Sequence, residues 1–315
     1  MTPAAALPAH SARPAAARIA SVTVPAAHRA RSAAVVESIG HLVPPPPWRA
    51  RVHSVFARAC NVACGELLLT IGTRAVGAGP TTLVLAGESG DLRDRFAEGE
   101  RVDAFDGRVR SARVELDLAR ARVWQPAERG PLASSAEIES RARRIHARLE
   151  QRRAAQPNVL DRQARAVTAA LAAACATLDG ANASVQLDRL IGWGEGLTPA
   201  GDDFIVGLLA GLDALAQGDP LRLRFRDSLA ARVAARTQRT TPVAAHALRL
   251  AVAGAWSARV DHLLAALCCS EGAHDAEAAL DELLALGATS GADTASGIVA
   301  ALHAWSRARS RAETA

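Results

Sequence analysis

The chain contains no lysine and no tyrosine. Without lysine there is no Schiff-base nucleophile, which excludes covalent pyridoxal phosphate chemistry, and no Walker A lysine, which excludes a standard P-loop. Without tyrosine, no phenol is present to act as acid, base or nucleophile. Aromatic residues make up 3% of the chain, and no basic helix with interleaved aromatics occurs. The formal charge of +5, carried by 37 arginines, therefore does not point to nucleic acid. Abundant Ala and Arg read as the codon bias of a GC-rich genome. No apolar run reaches the ~20 residues that span a membrane. Cysteine is sparse and odd in number, at 60, 64, 175, 268 and 269. With no secretion signal, this argues for reduced thiols and a cytoplasmic location. Cys60 and Cys64 would share a helical face, but no His-Cys cluster completes a zinc site. No Gly-x-Ser-x-Gly elbow and no His-Glu-x-x-His pair occurs.

What is present is enough for a sizeable core. The 315 residues are half hydrophobic, which suits a core split over two domains. Residues 1–34 are rich in Ala, Pro and Arg, contain no acid, and read as a disordered tail with the composition of a transit peptide. Residues 35–130 read as β-rich. Glu66–Ile71 is a strand-like run closed by Gly72-Thr73. Thr81–Ala86 is another, opened by Gly79-Pro80 and closed by Gly87-Glu88-Ser89-Gly90. Arg101–Phe105 and Arg108–Leu118 flank an Asp106-Gly107 turn as a hairpin. Pro44–Pro47 is extended. Residues 131–308 turn helical, with some seven or eight helices: 135–153, 161–178, 201–216, 221–236, 242–253, 257–269, 273–286 and 292–307. Residues 309–315 are a short tail. Strands first and helices later give α+β: a mainly antiparallel β domain followed by an α-helical domain.

The densest signal is the stretch 190–207. It carries glycines at 192, 194, 196, 201 and 207, the pair Thr198-Pro199, and two adjacent carboxylates, Asp202 and Asp203. Thr followed by Pro is a helix start, with Thr198 as N-cap and Pro199 at the first helical position. A glycine-rich loop running into a helix builds an anion site from backbone N–H groups. Two carboxylates beside it call for a metal, a cation or a hydrogen-bonding substrate. A second glycine-rich helix start, 287–297, repeats the pattern. Gly201-x-Asp203-x-x-x-Gly207 and Gly291-x-Asp293-x-x-x-Gly297 both place Asp one turn before Gly on one helical face. Each glycine would let another backbone come close. Taken singly, each Asp is explained as a first-turn carboxylate stabilised by the helix dipole. Two matched copies favour a shared site. Thr240-Thr241-Pro242 is a third helix start. It is either an N-cap or, with Arg239, an oxyanion site. His53, with Ser54, Phe56 and Asn61, is either a general base or a hydrogen-bonded structural residue, and His246 poses the same choice.

These residues resemble one family. Gly194-x-Gly-Leu-Thr-Pro-x-Gly-Asp-Asp-Phe204, then Thr240-Thr241, then Thr289-Ser-Gly-x-Asp293 look like the ordered signatures of the AllH-like family, long classed as a domain of unknown function. His53-Ser-x-Phe56, Asn61 and the Gly79-Pro80 turn look like its N-terminal pattern, so the resemblance runs over roughly 48–305. It implies a subunit of an oxamate carbamoyltransferase in anaerobic allantoin degradation, working with two other proteins. The Ser-Thr-Arg-Thr phosphate loop of ordinary transcarbamylases is missing, and Arg236-Thr-Gln-Arg239-Thr is only a superficial echo.

The expectation is one polar pocket where the helix starts converge. N–H groups around Gly196 to Gly201 would hold carbamoyl phosphate, oxamate or a similar substrate, in a site that also takes in Gly194, Leu197, Thr198, Pro199, Arg239, Thr240, Thr241, Ser290, Gly291 and Asn61. Asp202, Asp203 and Asp293 would orient an amide nitrogen, act as base, or hold Mg²⁺, with His53 as a further catalytic candidate. Mg²⁺ is the one cofactor considered. Partner subunits are expected, with no nucleic acid and no membrane. The alternatives are a non-catalytic metabolite-binding or scaffolding subunit, and Mg-dependent hydrolysis or phosphoryl transfer on the aspartate cluster.

Overall fold

The computed structural model describes residues 31–87, 90–155, 162–271 and 275–313. The strands come first: β1 Ser32–Gly40, β2 Trp48–Val55, β3 Ala59–Cys64, β4 Leu67–Gly72, β5 Thr82–Leu85, β6 Arg101–Phe105, β7 Arg108–Arg110, β8 Val114–Asp117 and β9 Arg122–Trp124. The sheet order is β5-β4-β3-β2-β6-β7-β8-β1-β9, with β5 also paired to β1. β1 closes the barrel by dividing its length. Ser32–Val35 pair with β8, and Val36–Ile39 pair with β5, with a register shift between Val36 and Ser38. β9 lies beside the end of β1, at Ser38–Gly40. Most pairs are antiparallel; β1–β8, β1–β9 and β4–β5 are parallel. Period-2 burial puts Val62, Leu69, Ile71, Leu83 and Val102 inside the barrel.

Nine α-helices follow among the described residues: α1 Ser135–Ala155, α2 Arg162–Thr177, α3 Gly180–Leu190, α4 Ala200–Ala216, α5 Pro220–Ala234, α6 Pro242–Val252, α7 Ala258–Cys268, α8 Ala276–Leu284 and α9 Ser290–Glu313. The α+β class with the β part first is therefore observed. α4 is buried along nearly its whole length and packs chiefly on α9 at the centre of the helical core. The described residues form one compact unit with two hydrophobic cores, one in the barrel and one among the helices. No helix among the described residues is long and apolar enough to cross a membrane.

Several expectations are corrected. β1 begins at Ser32, inside the stretch assigned to the tail, while residues 1–30 lie outside the described residues. The expected C-terminal tail is helix as far as Glu313. The long second arm of the hairpin is two strands. The Ser111 hydroxyl accepts the N–H groups of Arg113 and Val114, turning the chain between β7 and β8. α3 is an additional helix, capped by Asp179, whose side chain accepts the Asn182 N–H. Cys60 and Cys64 lie on strand β3, not on a helix. Within the expected turn 87–90, Glu88 and Ser89 lie outside the described residues, as do Asp161 and Ala273 at two expected helix starts.

Candidate functional site

The two Gly-x-Asp-x-x-x-Gly segments meet. A Cβ at Gly207 would lie 1.9 Å from the Thr294 carbonyl oxygen, and one at Gly297 would lie 2.0 Å from that of Phe204. Thr294 and Phe204 are the residues directly after Asp293 and Asp203, so the crossing of α4 and α9 is reciprocal. Each glycine receives the backbone that follows the other helix's aspartate. The leading glycines are equally constrained: a Cβ at Gly201 would lie 2.1 Å from Leu190 O, and one at Gly291 would lie 2.0 Å from Leu283 O. Side chains at these four positions would force the backbones apart. Their absence lets the helices cross closely enough for the Asp293 charge to act on Asp203.

Asp202 has a different job. One carboxylate oxygen accepts the Gly192 N–H at 3.0 Å and the other accepts the Thr240 hydroxyl at 2.5 Å. It ties the glycine-rich loop to the segment that leads into α6. Thr241 makes a parallel tie. Its hydroxyl caps α6 through the Ala244 N–H and donates to the Leu197 carbonyl. The Gly201 N–H donates to Trp193 O at 2.9 Å, so this helix-start donor is engaged within the loop. Thr198 does not cap α4. The N-cap is Pro199, which has no side-chain donor or acceptor to offer, and the helix begins at Ala200. The Thr198 hydroxyl is thereby free to reach across to Ser290, 2.8 Å away at the start of α9.

Burial dominates the electrostatics. Asp203 is 8% exposed and Asp293 2%. Burial pushes the Asp203 carboxyl up to about 8; the Ser290 hydroxyl pulls it back, the Asp293 charge raises it, the Thr198 hydroxyl lowers it, and the Asp202 charge adds to the rise. Burial likewise lifts Asp293 to about 7, against the Arg153 guanidinium and the Thr289 hydroxyl. Asp202 is raised by burial and lowered by its Thr240 and Gly192 bonds. Asp203 Oδ2 and Asp293 Oδ2 are both buried without a hydrogen-bond partner. Arg153, on α1, donates to Ser296 Oγ at 2.7 Å and pairs with Glu150. Neither Arg153 nor Thr289 was a candidate from sequence. Arg153 arrives from a charged helix with no motif, and only Thr289 falls within a segment already singled out.

Other candidates stand elsewhere. His53 Nδ1 lies 3.2 Å from Ser54 Oγ, Asn61 donates to the same hydroxyl, and Thr70 donates to Asn61. These partners all belong to barrel strands β2 to β4. The Arg239 side chain is exposed, while its carbonyl crowds Gly192. Leu197 is exposed on the loop. His246 bridges the two cores. Its Nδ1 accepts the Leu68 N–H at 3.4 Å and its Nε2 lies 3.1 Å from Thr81 Oγ1. Among the described residues, no group of three or more His, Cys, Asp or Glu is arranged to hold a metal.

Comparison with known families matches this architecture in two parts. The model described as oxamate carbamoyltransferase subunit AllH matches residues 190–302, which contain both helix starts. The model of the AllH family N-terminal domain matches residues 30–123, the barrel. No curated protein and no solved structure matches the chain.

Proposed function

Since the chain belongs to the AllH family, we propose that it is the subunit of a carbamoyltransferase that carries the amide-handling half of the active site. The substrates are carbamoyl phosphate and oxamate or a related amide, in the catabolism of nitrogen compounds such as allantoin. The enzyme is a hetero-complex with other subunits, working in the cytoplasm. The observation that carries this reading is the pair of buried, unpartnered carboxyl oxygens on Asp203 and Asp293, beside the Thr198 and Ser290 hydroxyls.

An amide nitrogen is a weak nucleophile and needs its proton removed as it attacks. In the forward direction the nitrogen bonds to the carbamoyl carbon, Asp203 takes the N–H proton, and the carbon–oxygen bond to phosphate breaks, releasing phosphate. In reverse, phosphate attacks the carbamoyl carbon, and protonated Asp203 returns its proton to the departing amide nitrogen. A carboxyl that titrates at about 8 is matched to both directions near neutral pH. It also suits anionic substrates, because a neutral carboxyl does not repel them. Asp202, with both oxygens engaged, holds the loop instead of touching substrate.

The test is Asp203→Asn in the assembled complex. Turnover is expected to fall by about 10²–10⁴-fold, the usual worth of a positioned acid–base group, while the melting temperature stays close to wild type at pH 7. Unchanged turnover sinks the assignment and favours a non-catalytic binding or scaffolding subunit. Chelator-sensitive turnover, with metal retained in the purified protein, would move the same carboxyls to Mg²⁺ chemistry.

A further inference from the structure

The chain leaves the barrel at Trp124 and crosses to the helices through residues 125–131. Backbone bonds fasten the end of that crossing to the end of α7: the Ala133 N–H donates to Cys268 O and the Ser270 N–H to Pro131 O. Between the crossing and α7 the fold leaves a cavity of about 450 Å³. That size falls within the ~300–1,000 Å³ of small-molecule sites. Two largely buried charges line it, and both have bonding capacity to spare. The Arg129 guanidinium lies over the Trp256 ring, 5.2 Å from its centroid. A guanidinium has about five N–H donors and closes on a carboxylate to about 2.7–2.9 Å. Arg129 instead stands 3.5 Å from Asp213 Oδ2 and 3.9 Å from Asp261 Oδ1. Asp261 Oδ1 accepts the Trp256 Nε1–H at 2.6 Å, and its Oδ2 is buried without a partner. The Cβ–Cγ torsion of an aspartate is soft, so Oδ2 can turn to a donor that arrives through the cavity.

This cavity is separate from the Asp203–Asp293 pair. Asp213, beside Arg129, is on α4, ten residues beyond Asp203 and so about 15 Å along the helix. The two open groups ask for opposite partners. Arg129 calls for anionic oxygens and Asp261 for a donor. A phosphate or dicarboxylate answers Arg129 alone and meets Asp261, Glu128 and Glu271 as like charges. An amine answers Asp261 alone and is repelled by the guanidinium beside it. An apolar ligand answers neither. One molecule answers both when a carboxylate and an ammonium sit on the same carbon. We propose that the cavity binds a free α-amino acid, its carboxylate on the Arg129 guanidinium and its ammonium on Asp261. The exposed carboxylates of Glu128 and Glu271 strengthen the field that draws in the ammonium. The remaining volume, walled in part by Trp124 and Ala265, holds the side chain of the ligand. The bound amino acid braces the crossing against α7. The site stands independently of the carbamoyl-transfer reading.

The test is a thermal-shift screen of the full-length chain against the standard L-amino acids, each at millimolar concentration. At least one is expected to raise the melting temperature by about 2 °C or more. Two analogues of that amino acid follow, the amine without its carboxylate and the acid without its amino group. Neither is expected to produce the shift. Arg129→Gln is expected to abolish it, measured against the variant's own melt. Ala265→Leu is expected to do the same by filling the cavity while leaving both charges in place, so the site stays testable if Arg129→Gln does not fold. Asp203→Asn is expected to keep the shift. No shift with any amino acid overturns the proposal, and so does a shift that the amine or the acid reproduces. A shift that survives both cavity variants overturns it as well. A shift lost in Asp203→Asn moves the ligand to the aspartate pair and overturns the separate site.

Discussion

Asp203 shows how one buried group couples chemistry to stability. In the unfolded chain its proton leaves near the ordinary aspartate value of 3.8; in the folded chain burial holds it until about 8. Between those values the native state holds a proton that the unfolded state has lost. The contribution is therefore fully present below about pH 4 and is lost as pH rises towards 8. Asp293 acts with the same sign up to about 7. The wild-type melting temperature is expected to fall from pH 5 to pH 8.5, with a shallower fall in Asp203→Asn. Thermal melts across that range check this, and parallel curves for the two proteins would contradict it. At this scale the sequence was legible where helix periodicity fixes geometry. Asp203 and Asp293 stand one turn from their glycines, and that spacing alone predicted a shared face. Arg153 was illegible because it reaches Asp293 from α1 through tertiary packing. Thr198 was misread because the helix starts one residue later than the Thr-Pro pair suggests.

Among the elements, the α4–α9 crossing is the most exacting contact. Alanine favours a helix interior over glycine by about 1 kcal/mol. At Gly207 and Gly297 that gain is outweighed, since the new Cβ would lie 1.9 and 2.0 Å from carbonyl oxygens. Gly207→Ala or Gly297→Ala is expected to cost about 3 kcal/mol in urea denaturation, at the upper end for overpacking. Gly180→Ala provides the contrast. Its Cβ would meet nothing nearer than Ser228 Oγ at 4.0 Å, at the first residue of α3, so stability should rise by about 0.5–1 kcal/mol. If all three substitutions behave alike, close approach is not what these glycines provide. The helices α1, α4 and α6 were legible from periodicity and punctuation. The break between β7 and β8 was not, because it depends on one serine side chain competing for backbone N–H groups.

For the molecule as a whole, α6 is the connecting piece. The segment entering it, Thr240 and Thr241, holds the glycine-rich loop, and one turn further on His246 locks onto β4 and the residue preceding β5. Burial lowers the His246 imidazole to about 4, so it serves as a neutral bridge near pH 7. His246→Leu leaves the Leu68 N–H and the Thr81 hydroxyl without that partner. It is expected to cost about 2 kcal/mol, whereas His246→Gln, which keeps an acceptor, should recover part of the loss. Denaturant titration of both variants measures the difference. The order of strands and helices was visible in the change of hydrophobic period from 2 to 3.6. Barrel closure was not, because β1 begins inside a stretch whose Ala-, Pro- and Arg-rich composition resembles a tail, and its partners lie far along the chain.

The reciprocal crossing also carries a consequence for how this protein comes into being. Its two acids are supplied by helices that α5 to α8 separate along the chain, and neither is unusual until the other helix has docked. A nascent or partly unfolded chain holds two ordinary carboxylates. Docking of the two helices is therefore accompanied by proton uptake near neutral pH, and the raised pair of acids exists only in the folded chain.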